Sequence, residues 1–309
     1  VGWHDLAGTL SSQARHDHIV LDVANQALLQ DGVEVRNAYA RMLATDFATT
    51  VQEEDLRARP EPSARVINRW VADHTGGHIK GLLTPAQVQG ASALLVDAVY
   101  MEAPWATGFA RSKTVAAPFY VTASTRETIP TMTSPATLTA PASVSPSLDA
   151  AELAYRGDAL SALVLMPPLG QLAKFEADLT PAVLAQIVRC LVDQRVSVKL
   201  PRFSLDSKLG LNAVLSAMGM NQAFSPEADF ANLSPQPVQL GLVLQDAQIK
   251  VGESGTEASA ASGGGLVPTA VAPEKVLNIA FDHPFAFLVR DNATGTIVFE
   301  AQVSDPATS

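Results

Sequence analysis

Val251-Gly-Glu-Ser-Gly-Thr-Glu-Ala-Ser-Ala-Ala-Ser-Gly-Gly-Gly265, continued by Leu266-Val-Pro-Thr-Ala-Val-Ala-Pro-Glu274, is the stretch whose reading decides the fold. Residues 258–265 hold no large apolar side chain, so they have little to offer a core. A Gly/Ser/Ala run of this composition ordinarily reads as a flexible linker. Its flanks do not. Gln248-Ile-Lys-Val251 alternates like a strand, and residues 278–289 are apolar and β-prone. The chain is expected to leave a folded body, run exposed over about 253–278, and return to the same body. Loops of that length inside a compact domain are uncommon and usually functional.

The surrounding chain is large enough to hold such a loop. It has 309 residues, 47% of them hydrophobic, and reads as one domain over 1–309 without an internal linker. A net charge of −10 without any Lys/Arg cluster argues against nucleic acid or an anionic membrane as partner. No apolar run approaches the roughly eighteen residues of a membrane span. The single cysteine, Cys190, excludes a disulfide scaffold and is expected to be a buried, inert thiol. The six His show no metal-ligand spacing, so neither a metal nor another cofactor is expected. No signal peptide is visible at Val1.

Periodicity predicts a mixed α+β body with mainly antiparallel sheets. Residues 1–10 read as the tail of a helix, 11–18 as a polar loop, and 19–29 as a buried strand ending in the turn Asp31-Gly32. Helices are expected over 37–47, 63–74, 172–179, 181–192 and 209–218. Pro60-Glu-Pro62 should stop whatever precedes the second of these, and Gly76-Gly77 should end it. The long apolar run 91–101 reads as a central strand. Further strands are expected at 119–122, 160–166, 196–200, 238–244, 286–289 and 296–303, with 135–147 a loop or irregular edge.

Several separated motifs together resemble the serpin family of suicide-type serine-protease inhibitors. Asn68-Arg-Trp70-Val71 and Thr75-Gly-Gly77-His-Ile79 match the end of a family helix. Leu95-Val-Asp-Ala-Val-Tyr100, with Trp105 and Phe109, is similar to the central-sheet strand. Leu200-Pro-Arg-Phe203, the segment Leu215 to Met220 with Phe224, and Asp229-Phe230 follow in the family's order. Glu253-Ser-Gly-Thr-Glu-Ala258 is similar to the hinge, and His283-Pro-Phe285 to the closing motif. The resemblance implies the serpin fold: a large central sheet, further sheets, surrounding helices and an exposed reactive-centre loop.

What the resemblance implies for function is inhibition, not enzymatic activity. A serine protease cleaves the loop, an acyl-enzyme forms, and the hinge inserts as a new strand of the central sheet. The hinge positions are Glu253, Gly255, Thr256, Glu257, Ala258, Ser259, Ala260 and Ala261. Thr256 is the first side chain to be buried on insertion, where a charge would carry a large desolvation cost. Gly263 to Gly265 would weaken an inserted strand by roughly 0.5–1 kcal/mol each relative to Ala. Family spacing from Glu253 places the scissile bond at Thr269–Ala270, with Leu266 as the runner-up. A small Thr after Pro268 suits an elastase-like protease, whereas Leu266 would suit a chymotrypsin- or subtilisin-like one. The expected partner is thus a serine protease held covalently by a monomer, and the family points to an extracellular setting.

The chain departs from the family pattern in three places. The family has further helices and a strand before the point where Val1 aligns, so the alternatives are a truncated chain cleaved as a substrate and a non-inhibitory binding protein. The shutter Asn is Asp97 here, and the shutter His is Gln245, whose amide could supply Asp97 with a donor. The Lys that pairs with the hinge Glu in animal members aligns with Thr133, so that salt bridge is expected to be absent. Trp105 falls at the family's breach tryptophan, and His283 is expected to shape a strand entry rather than catalyse. Gly252-Glu-Ser-Gly255 superficially resembles a trypsin-like nucleophile, but no His stands in a matching context.

Overall fold

The apolar run of the sequence becomes the middle of a sheet. In the computed structural model, which describes residues 19–47, 49–255 and 276–307, it forms strand β3 (Ala93–Glu102). The expectations for residues 1–18, for Thr256 to Ala261, and for Leu266, Thr269 and Ala270 lie outside the described residues. The described chain groups into two compact units, one of residues 20–101 and 206–248, the other of 102–205 with 249–255 and 276–307.

The first unit is built on a five-stranded sheet. Its other strands are β1 (Val20–Gln30), β2 (Val51–Glu54), β10 (Phe203–Gly210) and β11 (Leu240–Val251), in the order β10-β11-β3-β1-β2. Helix α1 (Asn37–Phe47) lies between β1 and β2 in sequence. Helix α2 (Pro60–His74) covers one sheet face: its Ile67 and Val71 share a core with Ala24, Leu28, Leu94, Val96, Ala98, Tyr100 and Leu244. Alternation along β3 puts Leu94, Val96 and Ala98 on that face and leaves Leu95 and Asp97 on the other.

The helix-end motif of the sequence is a set of backbone locks. Asn68 donates to the Leu83 carbonyl at 2.8 Å and accepts from its N–H at 2.7 Å. The Thr75 hydroxyl donates to Val71 O and accepts from the Ile79 N–H, at 2.8 and 3.2 Å. Gly76 and Gly77, at φ +55° and +80°, turn the chain away in a conformation that few other residues adopt. A one-turn helix, α3 (Pro85–Val88), follows with a capping box between Thr84 and Gln87.

The second unit carries nine strands. Eight run in the order β14-β13-β8-β7-β6-β9-β5-β4, and β12 (Leu277–Ala280) pairs parallel to β9. They are β4 (Val115–Phe119), β5 (Glu127–Thr133), β6 (Thr139–Ser145), β7 (Leu148–Ala154), β8 (Leu160–Met166), β9 (Val192–Pro201), β13 (Phe285–Asp291) and β14 (Ile297–Val303). Helices α4 (Leu172–Asp178) and α5 (Pro181–Cys190) cover one face, with Phe175, Leu184, Ile187 and Val188 against Leu163, Leu165, Ala286 and Leu288.

The structure corrects several expectations. Pro60 and Pro62 do not precede α2 but form its first turn, where a missing N–H leaves no bond unmade. Residues 135–147 are not an irregular edge, because Thr139–Ser145 is a strand laddered on both sides to β7 and β9. The strand expected at 119–122 lies earlier, at Val115–Phe119; Thr122 and Thr125 instead close a turn. The helix expected over 209–218 shrinks to α6 (Asn212–Leu215) and irregular turns, since residues through Gly210 belong to β10 and Gly219 has φ +104°. Cys190 is exposed, not buried: α5 turns its apolar stripe inward and leaves Cys190 on the outer side.

Candidate functional site

Strand β11 ends at buried Val251 and runs directly into Gly252-Glu-Ser-Gly255, the start of the hinge motif. These four residues close on themselves: Gly252 N–H donates to Gly255 O at 2.8 Å, and Gly255 N–H to Gly252 O at 3.2 Å. The turn is also pinned against residues 103–109. Trp105 N–H donates to Ser254 O at 3.0 Å, its indole Nε1 to Gly252 O at 3.0 Å, and Phe109 N–H to Glu253 O at 2.7 Å. Pro104 and Gly255 form an antiparallel bridge.

Only glycine fits at 255. Its φ is +126°, and a Cβ there would stand 2.1 Å from Ala103 O and 2.5 Å from Pro104 Cα. The glycine of the motif is therefore a steric requirement of this close approach. Trp105 is set by its neighbours: buried, stacked on Tyr155 with centroids 4.6 Å apart, and edge-on to Phe109 at 6.0 Å.

Glu253 is buried at 8% exposure, so its carboxylate needs partners. The Thr114 hydroxyl donates to its Oε1 at 2.8 Å, and Arg202 Nη1 stands 3.7 Å from the same oxygen. The salt bridge expected to be lost at Thr133 is thus present. Its cation is Arg202, from the Leu200-Pro-Arg-Phe203 motif at the end of β9. Thr114 and Arg202 had not been singled out as partners of Glu253. They lie far from it in sequence, and no local pattern announces them.

Asp97 and Gln245 meet across the β3–β11 seam. Gln245 Nε2 donates to Asp97 Oδ1 at 2.6 Å. Burial pushes the Asp97 carboxyl above its usual range, and the amide bond pulls partly the other way. His283 has partners of its own. Its Nδ1 faces Asp282 Oδ1 at 2.9 Å and its Nε2 faces Pro167 O at 3.0 Å, so both ring nitrogens meet acceptors. The bond to Asp282 raises its pKa, burial works against that, and the Pro167 carbonyl and Asp149 add to the rise.

The sequence-derived site residues therefore fall into separate groups among the described residues. Glu253, Gly255 and Trp105 come together, Asp97 and Gln245 come together, and His283 meets Asp282 and Pro167. No group of three or more His, Cys, Asp or Glu side chains among the described residues is placed to hold a metal ion. What the first arrangement can do is hold a strand end in a closed turn by backbone bonds, each of which can be broken without any covalent change.

Comparison with known proteins bears on what such a turn is for. The family model described as serpin (serine protease inhibitor) matches residues 2–306. Iripin-8 of Ixodes ricinus is 30% identical over 294 residues, which cover 94% of this chain and 73% of that protein. Plasminogen activator inhibitor 1 of Neovison vison is 33% identical over 298 residues, covering 93% and 72%. Among solved structures, uncleaved ovalbumin matches with a TM-score of 0.84 at 21% identity, over 97% of this chain and 78% of that one. Serpin48 of the insect Tenebrio molitor matches at 0.82 and 22%, over 96% and 79%. At such identities the structural likeness speaks to the fold alone.

Proposed function

The chain belongs to the serpin family of serine protease inhibitors and has its fold, and we propose that it is a suicide-substrate inhibitor with residues 253–278 as bait loop. The attacking protease serine adds through Oγ to the carbonyl carbon of Thr269. The Thr269–Ala270 bond breaks, the amine of Ala270 leaves with a proton, and an ester joins the protease to Thr269. The hinge, Gly255 to Ala261, then folds back beside β11 as an additional strand and carries the esterified protease with it.

The observation that carries this reading is the pairing of β11 directly with β3. A chain that reverses just after Val251 re-enters the sheet antiparallel to β11, on the side that β3 now occupies. Entry requires the β3–β11 bonds to open, including Gln245 to Asp97. The entering strand replaces those bonds and adds others, each with a net value of about 0.5–1.5 kcal/mol. Thr256, Ala258, Ser259, Ala260 and Ala261 are small enough to enter without overpacking. Thr269 directs the loop to elastase-like proteases with a shallow primary pocket; Leu266 would redirect it to chymotrypsin- or subtilisin-like ones.

Titration of pancreatic elastase with increasing amounts of the chain tests the reading. Activity should fall to zero at a molar ratio near one and stay there after dilution. Steady turnover of the chain with undiminished elastase activity would make it a substrate and sink the proposal.

A further inference from the structure

Residues 281–284 turn the chain from β12 into β13 within the second unit. Phe281 N–H donates to Lys199 O of β9 at 2.9 Å, and Tyr120 N–H, just past β4, donates to Asp282 O at 2.7 Å. Phe281 is buried, with its ring 5.8 Å from that of Phe285. His283 precedes Pro284, which confines its backbone to extended conformations and so limits the directions its ring can take. That ring reaches the end of β8. Its Nε2 meets Pro167 O at 3.0 Å, one residue beyond the last β7–β8 pair, Asp149 with Met166. Its Nδ1 meets Asp282 Oδ1 at 2.9 Å.

Counting protons decides the state of the ring. A backbone carbonyl and a carboxylate are both acceptors and offer no proton. A neutral imidazole has one N–H and one lone pair, so it could satisfy one of these neighbours and would turn a lone pair on the other. The two contacts together require an N–H at each ring nitrogen. From this geometry we infer that His283 is held as an imidazolium, a cationic clasp between the β12–β13 corner and the end of β8, and that loss of its proton opens the clasp. The charged groups that act on the ring are both acidic, Asp282 in the corner and Asp149 on β7. The direction of its titration agrees: the Asp282 bond raises the His283 pKa from 6.5, partial burial works against that, and the Pro167 carbonyl and Asp149 add to the rise.

The clasp is complete below the ordinary value of 6.5 and is lost as pH rises through the higher value that His283 takes in the folded chain. What it steadies is a weakly held element. Strand β12 has four residues and one neighbour among the described strands, β9, so the corner is one of the few ties that fix it. If residues 253–278 are the bait loop, as proposed above, β12 is the return leg of that loop. His283 is then a positioning residue for the half of the loop beyond Ala270, and that half is anchored more firmly in mildly acidic surroundings than in alkaline ones.

The test needs no protease, so its outcome is independent of whether the chain inhibits, which the elastase titration reads separately. Nitrogen NMR of the folded full chain reports the protons on the His283 ring directly. At pH 6.5, where an unperturbed His is half charged, both ring nitrogens should carry protons in nearly every molecule. Amide exchange of Asp282 and β12, corrected for intrinsic exchange rates, is then followed below and above the midpoint of that ring in the parent, in His283→Gln and in His283→Arg. Opening in the parent should rise about tenfold or more across the midpoint, the worth of one hydrogen bond to a charged group. The step should vanish in His283→Gln, which is neutral throughout, and in His283→Arg, which is charged throughout; either variant suffices if the other fails to fold. A ring that is half neutral at pH 6.5, a parent without the step, or a step that survives in either variant overturns the inference.

Discussion

Substituting Gly255 by alanine tests whether the closed turn at the end of β11 is held as described. The added Cβ would stand 2.1 Å from Ala103 O, 2.5 Å from Pro104 Cα and 2.6 Å from Trp105 N, all backbone atoms that cannot step aside. The turn must open or the backbone must leave φ +126°. A non-glycine residue held in that region costs about 1–3 kcal/mol. Opening forfeits the two Gly252–Gly255 bonds and the Trp105–Ser254 bond, each about 0.5–1.5 kcal/mol net. The backbone contacts leave no room for a Cβ, so the turn opens and the three bonds together set the loss, about 1.5–4.5 kcal/mol, to be read from urea denaturation monitored by tryptophan fluorescence. The control is Gly252→Ala, where the new Cβ meets only Gly255 O at an ordinary 3.7 Å, and which should cost less than about 1 kcal/mol. If the two variants unfold within about 0.5 kcal/mol of each other, the steric account of Gly255 is wrong.

Glu253 supports an ordering that runs against ion-pair intuition. Thr114→Val strips a buried carboxylate of its 2.8 Å donor and should cost about 1–3 kcal/mol, whereas Arg202→Ala removes a half-exposed cation 3.7 Å away and should cost under about 1. Equal losses in urea denaturation would contradict it. His283 has a raised pKa, so its contribution is complete below the unfolded value of 6.5 and disappears as pH rises through the folded one. A melting-temperature difference between the parent and His283→Gln should accordingly be larger at pH 5.5 than at pH 8.5. Asp97 is also raised, so its charged form opposes folding: Asp97→Asn should gain stability relative to the parent as pH rises from below the ordinary 3.8 through the folded value. Thr256→Arg should convert the chain from inhibitor to substrate, since a guanidinium cannot enter the sheet unpaired; undiminished elastase inhibition would refute the assignment of that hinge position.

The parts of the fold that could be read from sequence were those whose burial leaves a periodic trace. The run ending at Met101 is apolar except for Ser92 and Asp97 because β3 is central, and 37–47 and 160–166 carried their helix and strand nearly to the residue. Strand β6 left no such trace. Ala140 and Ala142 are buried, but Ala, Pro and Ser lack the branched side chains that mark a strand, and the ladders to β7 and β9 decide the matter. The helix expected at 209–218 failed for a similar reason: Leu209 fits either period, and pairing in the sheet overrides the local preference. In the site, the glycine of the hinge motif was legible as a motif, but its cause, the approach of Ala103 and Pro104, was not. The partners of Glu253 were illegible because they come from residues 114 and 202, joined to it only by the fold.

The most direct test of the central claim is the intact mass of the species formed when the chain meets a slight excess of pancreatic elastase, read after denaturation. The account predicts one covalent adduct, of elastase plus residues 1–269, together with a released peptide that begins at Ala270. Two fragments separated at that bond with elastase unmodified would contradict it.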